Sequence, residues 1–504
     1  MTAKGVLFDL VAVQSPSYRR RGIARYSFEL AKAVSERHPE LVTAMVVHPE
    51  LEDAEELAGL GRWLTSSPDW EAAGVVHLSS AFEPEVPVKL FWPPEVTRHG
   101  LLTAVTVYDL IPELFPGWYL QDPGLRRRWR AGREVVRAAD LVFTISESTR
   151  EDTVALLGMP EERVRVVGTG TASTFVPAAS RQKALAAAKA RVKGLKKGFL
   201  LYTGAFDPRK NVDNLVRGYA ALPPRVIEHH QLVIACSAPP LTRNHYLVMA
   251  RELGLRRDRV LIPGYVPERV LVALNQSAEL AVFPSLYEGF GFPVVEALAC
   301  GTPAIAGDNS SLREILPREA RFQAQDPWAI AEAIERALYD ASHRARLMAL
   351  VRQPTPTWDD VADKAAEALE DLLRQAGRHP RSWRAKPRVA LFGAPDALAE
   401  QLSPELVCDS FTWPPSSATA VVLTGAWQGG YDAVVLSPHG DGELGSAALR
   451  ELATALPGRC LVITGPATSP EVLAVVAELS LPSVDGDDEA AARAVLALAR
   501  QQAA

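Results

Sequence analysis

Four cysteines in 504 residues, Cys236, Cys300, Cys408 and Cys460, stand too far apart to form a C-x-x-C pair, so neither a zinc site nor a redox motif is indicated. They read as reduced thiols. No apolar run reaches the roughly 18–20 residues that a bilayer span needs. The opening MTAKGVLFDLVAV lacks the basic, apolar and small-residue order of a secretion signal, so a cytoplasmic protein is expected. Positive charge is also short: 54 Lys and Arg stand against 60 Asp and Glu, for a net charge of -6. Residues 386–504 hold 6 of those bases and 14 of those acids, which leaves the body only slightly basic. That is not the footprint of a nucleic-acid binder, and no nucleic-acid partner is expected. A correctly placed G-x-G-x-x-G is missing as well. The first strand runs FDLVAVQSPS, and after Gly289 and Gly291 the third glycine position is Val294, which argues against a dinucleotide oxidoreductase.

What remains is an ordinary folded composition, 48% hydrophobic and 23% charged, long enough for about three domains. Short apolar runs alternate with helix-length amphipathic stretches, the pattern of parallel sheets with crossover helices and hence an α/β fold. Strands are predicted over 6–13, 42–47, 75–78, 101–107 and 141–145, forming a first Rossmann-like unit over 1–180. A Pro- and Ala-rich stretch, 176–190, leads to a second unit over 190–356, with strands predicted over 199–202, 231–236, 260–262, 280–283 and 303–306. Ser148 with Glu151, and Ser311 with Glu314, fit the S-x-x-E capping box, and Gly158 and Gly254 mark helix ends. Residues 357–377 predict a long helix crossing back to the first unit, followed by a basic linker over 378–388. A third, smaller α/β domain is predicted over 389–504, with strands over 389–392, 420–423, 433–436 and 460–464.

The informative stretch is PSLYEGFGFPVVEALACGTPAIA, residues 284–306. The apolar run 280–283 reads as a buried strand, Pro293 as the first helical residue and Gly301 as the position past the helix end. The loop between lies at the carboxyl end of a parallel strand and at a helix N-terminus, where open α/β sheets bind ligands and where phosphate is favoured. Gly289 and Gly291 would let backbone amides approach an oxygen-rich ligand. Glu288 and Glu296 would offer carboxylates to vicinal hydroxyls on either side of it. The plainer alternative has the acids offsetting the helix dipole while Phe290 and Phe292 pack in the core.

EGFGFPVVE resembles the E-x7-E motif of retaining glycosyltransferases of family 4, which have the two-Rossmann GT-B architecture. RRRGIARYSFELAKAV (19–34), TVYDLIPELFP (106–116), FTISESTREDTVALLG (143–158), YTGAFDPRKNVDNLVRGY (202–219) and GDNSSLREI (307–315) agree in the same order, and the likeness covers about residues 5–376. It is nearest in character to bacterial mannosyl- and rhamnosyltransferases of surface polysaccharides. The resemblance implies that Glu296 binds the nucleotide ribose and Glu288 meets the transferred sugar, with amides from Gly289, Phe290, Gly291 and Phe292 assisting. It also implies that Arg209 and Lys210, beyond Gly204, hold the donor diphosphate. Fixed cations there suit a reaction that leaves negative charge on a departing diphosphate. Gly22 would bring backbone toward the sugar phosphate, and Asp109 would accept from a sugar hydroxyl. Relatives often carry His just before that acid, where this chain has Tyr108. The implied co-substrate is a nucleotide diphosphate sugar, with GDP-mannose the guess, and the implied acceptor is a saccharide or a lipid-linked hydroxyl. No metal and no further cofactor is implied.

Four readings stay open at this stage. Arg126, Arg130, Arg133 and Arg137 recur at helical spacing, which is either a solvated face or a peripheral contact with anionic lipid; Arg19, Arg20 and Arg21 face either an anionic acceptor or water. The one D-x-D of the acidic tail, Asp485 and Asp487, falls at a predicted helix start and supports a metal-dependent transferase only weakly. Residues 386–504 resemble, faintly, the first Rossmann half of a second transferase. That leaves room for a non-catalytic sugar-nucleotide scaffold in a glycan assembly complex.

Overall fold

The structure is a computed structural model describing residues 4–15, 22–49, 51–52, 54–82 and 101–378. Beyond these it describes 388–392, 407–411, 433–436, 460–464, 470–478 and 482–485, with scattered positions over 491–498. The predicted strand 420–423, the linker between 378 and 388, Arg19, Arg20, Arg21 and Asp487 lie outside the described residues.

The first sheet has seven strands: β1 (Gly5–Asp9), β2 (Val42–Val46), β3 (Leu64–Thr65), β4 (Ala73–Leu78), β5 (Leu102–Val107), β6 (Leu141–Thr144) and β7 (Val164–Val166). Their spatial order is β3-β2-β1-β4-β5-β6-β7, all parallel. The second sheet has β8 (Phe199–Thr203), β9 (Gln231–Ala235), β10 (Val260–Leu261), β11 (Leu280–Phe283), β12 (Ala304–Gly307) and β13 (Arg321–Phe322), in the order β10-β9-β8-β11-β12-β13. Both follow the doubly wound Rossmann order, in which the connection reverses once and opens a crevice at the strand carboxyl ends. In the first sheet that switch lies between β1 and β4, and in the second between β8 and β11. The strands read as continuous apolar runs because helices cover both faces, and β1, β4, β8 and β11 are buried at every position.

Several boundaries move from their sequence-based positions. β1 stops at Asp9, because the Asp9 carboxylate accepts from Val11 N at 3.0 Å and turns the chain into a short helix, Val11–Gln14. The stretch read as a lead-in to the second unit contains a helix, Arg181–Arg191, capped by Ser180 and packed on the helix Glu268–Ser277, so the second domain begins near 180. The capping boxes also shift. Ser146, not Ser148, caps the helix Glu147–Leu157 by accepting from Thr149 N, and Ser311 makes no side-chain cap. The short strands β3, β7 and β13, of two or three residues each, carry too little apolar pattern to be read from sequence.

The helix Trp358–Arg378 crosses back onto the first domain. Its apolar face, Val361, Ala362, Ala365, Ala366, Leu369 and Leu372, joins one buried cluster with Phe8, Leu30 and Phe143. Arg37 grips Asp363 with two hydrogen bonds of 2.7 Å, Trp358 lies edge-on to Tyr26, and Gly170 leaves room for the Trp358 backbone and ring.

The third sheet, β14 (Arg388–Phe392), β15 (Val407–Phe411), β16 (Ala433–Leu436), β17 (Cys460–Thr464) and β18 (Ser483–Asp485), is parallel in the order β15-β14-β16-β17-β18. That is the other common doubly wound order. Asp485 ends β18 rather than opening a helix. Among the described residues no helix is long and apolar enough to cross a membrane.

Candidate active site

The loops that follow β8 and β11 flank the switch point of the second sheet, and they are the loops that carry Arg209, Lys210 and Glu288. The loop after β11 is pinned along its length. Asn211 Nδ2 donates to Pro284 O at 3.1 Å, Asn309 Nδ2 to Ser285 O at 2.8 Å, and Leu286 N to Arg209 O at 2.7 Å. Ser310 Oγ accepts from Glu288 N at 2.9 Å, and Ser311 Oγ donates to Glu288 O at 2.9 Å and Phe290 O at 2.7 Å. Asn211 and Ser310 take positive φ, 57° and 36°, so backbone strain sits at two residues that hold this loop. Gly291, at φ 111°, turns the chain into the helix Phe292–Ala299, in which Pro293 is the second residue.

Glu288 is 8% exposed and is gripped by both cations. Arg209 Nη1 lies 2.8 Å from one carboxylate oxygen and Lys210 Nζ 2.6 Å from the other. Burial pushes the Glu288 carboxyl up, but Lys210 and Arg209 outweigh it and hold the pKa at about 2. Burial works against the Arg209 charge too, yet Glu288, Asp109 and Asp207 raise its pKa further. Asp109, just past β5 in the first domain, faces the same group; burial raises its pKa against the pull of Arg209. Tyr119, also from the first domain, donates to Asp207. The two domains therefore converge on one cluster of three acids and two bases.

Glu296 occupies a different place. It lines a cleft of about 1140 Å³ between the domains, walled by Gly22, Arg25, Gly204, Tyr265, Phe292 and Trp358 among others. Burial raises its pKa to about 7, while Arg25, 3.9 Å away across the cleft, opposes the rise. Glu288 and Lys210 line a small adjoining pocket that shares Thr203 and Pro293 with the cleft. Glu296 thus faces the open cleft, while Glu288 is packed against its own cations just behind the cleft wall.

Other expected site residues fall as follows. Gly22 begins the helix Gly22–Arg37 at the cleft wall, and Gly204 lines the same wall at φ 151°. A Cβ on Gly289 would come within 2.4 Å of Tyr108 O, so the small size of this residue serves a contact with the first domain's backbone. Phe290 packs against the first domain's buried cluster, as does Phe292, which also reaches the cleft. Tyr108 turns away from the site, donating to Ser79 O at 2.8 Å and lying 3.0 Å from Ser27 Oγ. The arginine helix, Pro123–Ala138, is not one uniform face: Arg126 and Arg130 are exposed, whereas Arg133 is half-buried against Glu113 at 3.3 Å and Leu156 O. Sequence reading missed Arg25, one turn into GIARY beyond Gly22, and the exposed Tyr265 of GYVPE; a single basic or aromatic residue on a helix or loop carries no signal of its own.

Residues 5–170 match the family described as glycosyl transferase 4-like domain, and residues 186–353 match glycosyl transferases group 1. The chain is 29% identical over 305 residues to the serotype-specific mannosyltransferase WbdA of Escherichia coli, covering 59% of this chain and 37% of WbdA. It is 28% identical over 279 residues to the O-antigen chain mannosyltransferase B of the same organism, covering 54% of this chain and 72% of that protein. The chain spans little more than a third of the WbdA relatives that it matches. Among solved structures it resembles Anabaena HepE bound to UDP and glucose, with a TM-score of 0.55 at 14% identity, over 73% of this chain and 99% of HepE. It also resembles sucrose-phosphate synthase from Thermosynechococcus elongatus, with a TM-score of 0.54 at 21% identity, over 74% of this chain and all of that one. These likenesses establish the two-domain fold.

Proposed function

We infer that this chain, whose first two domains are those of a GT-B glycosyltransferase of the family-4 type, transfers a hexose from a nucleotide diphosphate sugar to an acceptor hydroxyl with retention at the anomeric carbon. The observation that carries the reading is the placement of Glu296 in the interdomain cleft, next to the packed ion cluster of Glu288, Arg209 and Lys210. In this reading Glu296 accepts hydrogen bonds from the ribose hydroxyls and the start of the helix Phe292–Ala299 faces the diphosphate. Arg209 and Lys210 stabilise the charge that grows on the departing phosphate. The bond from the anomeric carbon to phosphate oxygen breaks, the bond to the acceptor oxygen forms on the same face, and the acceptor proton passes to the departing phosphate oxygen. Positioning and charge stabilisation carry the catalysis, with no metal and no protein nucleophile.

Mannose is the proposed sugar, on the names of the WbdA and O-antigen relatives, and a saccharide or lipid-linked hydroxyl the proposed acceptor. Exposed Arg126 and Arg130, on the helix that also exposes Leu125 and follows the short helix that exposes Trp118, support a peripheral contact with an anionic lipid surface.

Screening nucleotide sugars for thermal stabilisation, followed by turnover and anomeric analysis of the product, tests the reading. One nucleotide sugar should stabilise the chain and give a product of unchanged anomeric configuration. Stabilisation without transfer to any saccharide or lipid-linked acceptor would favour the scaffold reading, and stabilisation by no nucleotide sugar would remove both.

A further inference from the structure

The loop that carries Glu288 is fixed by the first domain as well as by its own. Glu314, in the second domain, accepts from Glu147 N at 2.9 Å and Ser148 N at 2.8 Å, two of the unsatisfied donors at the start of the helix Glu147–Leu157. A carboxylate there also meets the positive end of the helix dipole. Ser146 Oγ and Thr149 Oγ1 donate to Gly289 O at 2.6 and 3.2 Å. Tyr287 donates to Asp152 and lies 3.3 Å from Ser148 Oγ. Residues 146–152 of one domain thereby hold 287, 289 and 314 of the other, and Glu288 sits between two docked neighbours.

We propose that the first turn of the helix Glu147–Leu157 is the docking point that brings the Glu288 loop into register with the first domain, with Glu314 and Tyr287 as positioning residues. The inference rests on the reading of Glu288 as a sugar-facing group. Arg209, Lys210 and Glu288 belong to one domain and stay together when the domains part. Asp109 and the acceptor side belong to the other, so only docking aligns the two halves. Loss of docking then slows transfer while the donor half-site, which includes Glu296, remains intact.

The test uses the full chain with Glu314→Gln, Tyr287→Phe, Asp152→Asn and the Tyr287→Phe/Asp152→Asn pair. An amide at 314 presents an N–H to one of the helix donors, and about a ten-fold fall in turnover is expected with donor KM changed less than about two-fold. Small-angle scattering of unliganded Glu314→Gln should show a larger radius of gyration than wild type. The Tyr287→Phe/Asp152→Asn pair should be no slower than Tyr287→Phe alone, because the two side chains act through one bond. Unchanged scattering with additive losses would overturn the docking, and a loss confined to donor KM would overturn the positioning role. Should the wild-type chain transfer no sugar, scattering still decides whether the domains dock here, so failure of the functional reading and failure of this one are told apart.

Discussion

Lys210 Nζ lies 2.6 Å from one oxygen of the Glu288 carboxylate while Arg209 holds the other at 2.8 Å, with the three side chains between 10% and 20% exposed. Removing one member of so buried a group leaves uncompensated charge. Glu288→Gln strands two cations and is expected to lower unfolding stability by about 3 kcal/mol, whereas Lys210→Met leaves Arg209 on the carboxylate and costs less. A nucleoside diphosphate should therefore raise the Tm of Glu288→Gln by more than that of wild type, since its phosphates replace the missing anion. Equal shifts in the two proteins would show that the diphosphate does not meet these cations.

Glu296 gives the donor site a pH dependence. Its pKa in the empty site is raised to about 7, chiefly by burial. Accepting from two ribose hydroxyls requires the carboxylate, so the protonated site must lose a proton on binding, and affinity falls as pH drops below about 7. Calorimetric titration of the donor nucleotide between about pH 5.5 and 8.5 should show roughly ten-fold weaker binding per unit below the midpoint and a plateau above it. Glu296→Gln should bind more weakly and without the slope. Arg25→Met, which removes the cation opposing the shift, should move the midpoint upward.

The sequence alone made the two Rossmann-like units legible because their central strands are uninterrupted apolar runs, and it placed Glu288, Arg209 and Lys210 on loops, and Glu296 one turn into the following helix, beside one switch point. What escaped it were long-range relations. Nothing in GFGF distinguishes a glycine kept small for a ligand from one kept small for Tyr108 O. Nothing in SSLRE shows that Glu314 leaves its own four-residue helix to cap another 166 residues away. Local spacing offered Ser311 as a cap, whereas the fold uses its hydroxyl to tie down Glu288 and Phe290.

Asp9 makes stability fall on the alkaline side of its own titration. It is buried at the end of β1, and burial raises its pKa to about 6 despite hydrogen bonds from Val11 N and Ser79. The folded state therefore holds this proton more tightly than the unfolded chain, whose value is 3.8. The contribution is full below about pH 4 and is lost as pH rises through about 6, a difference of as much as roughly 3 kcal/mol. Denaturant melts at several pH values should show that decline in wild type and a shallower one in Asp9→Asn, whose amide does not titrate; parallel curves would exclude Asp9 as the source.

If Arg126 and Arg130 meet a membrane surface, reversing both should abolish it. Arg133 is left in place because it is half-buried and paired with Glu113, whereas exposed Arg126 is held by the nearby Leu120 and Gln121 carbonyls. Vesicles containing phosphatidylserine should retain the wild-type chain at low salt and release Arg126→Glu/Arg130→Glu, with the same release of wild type at high ionic strength. Equal partitioning of the two proteins would leave the exposed arginines as a solvated face.

Gly289→Ala separates two explanations of one glycine. If its size matters because a backbone amide must approach the donor, the substitution weakens donor binding and leaves domain closure alone. The structure instead puts the new methyl 2.4 Å from Tyr108 O and 3.0 Å from Asp109 Cβ, atoms of the opposite domain that a flexible side chain cannot vacate. Closure then requires the backbones to move apart, and an overpacked contact of this kind costs roughly 1–3 kcal/mol. Because that cost falls on the contact between the domains and not on the donor half-site, turnover of the full chain should drop by about ten- to a hundred-fold while donor affinity stays within about three-fold. The Tm should hardly change, since neither domain's own core is touched. A donor Kd raised as much as turnover falls would return Gly289 to the ligand.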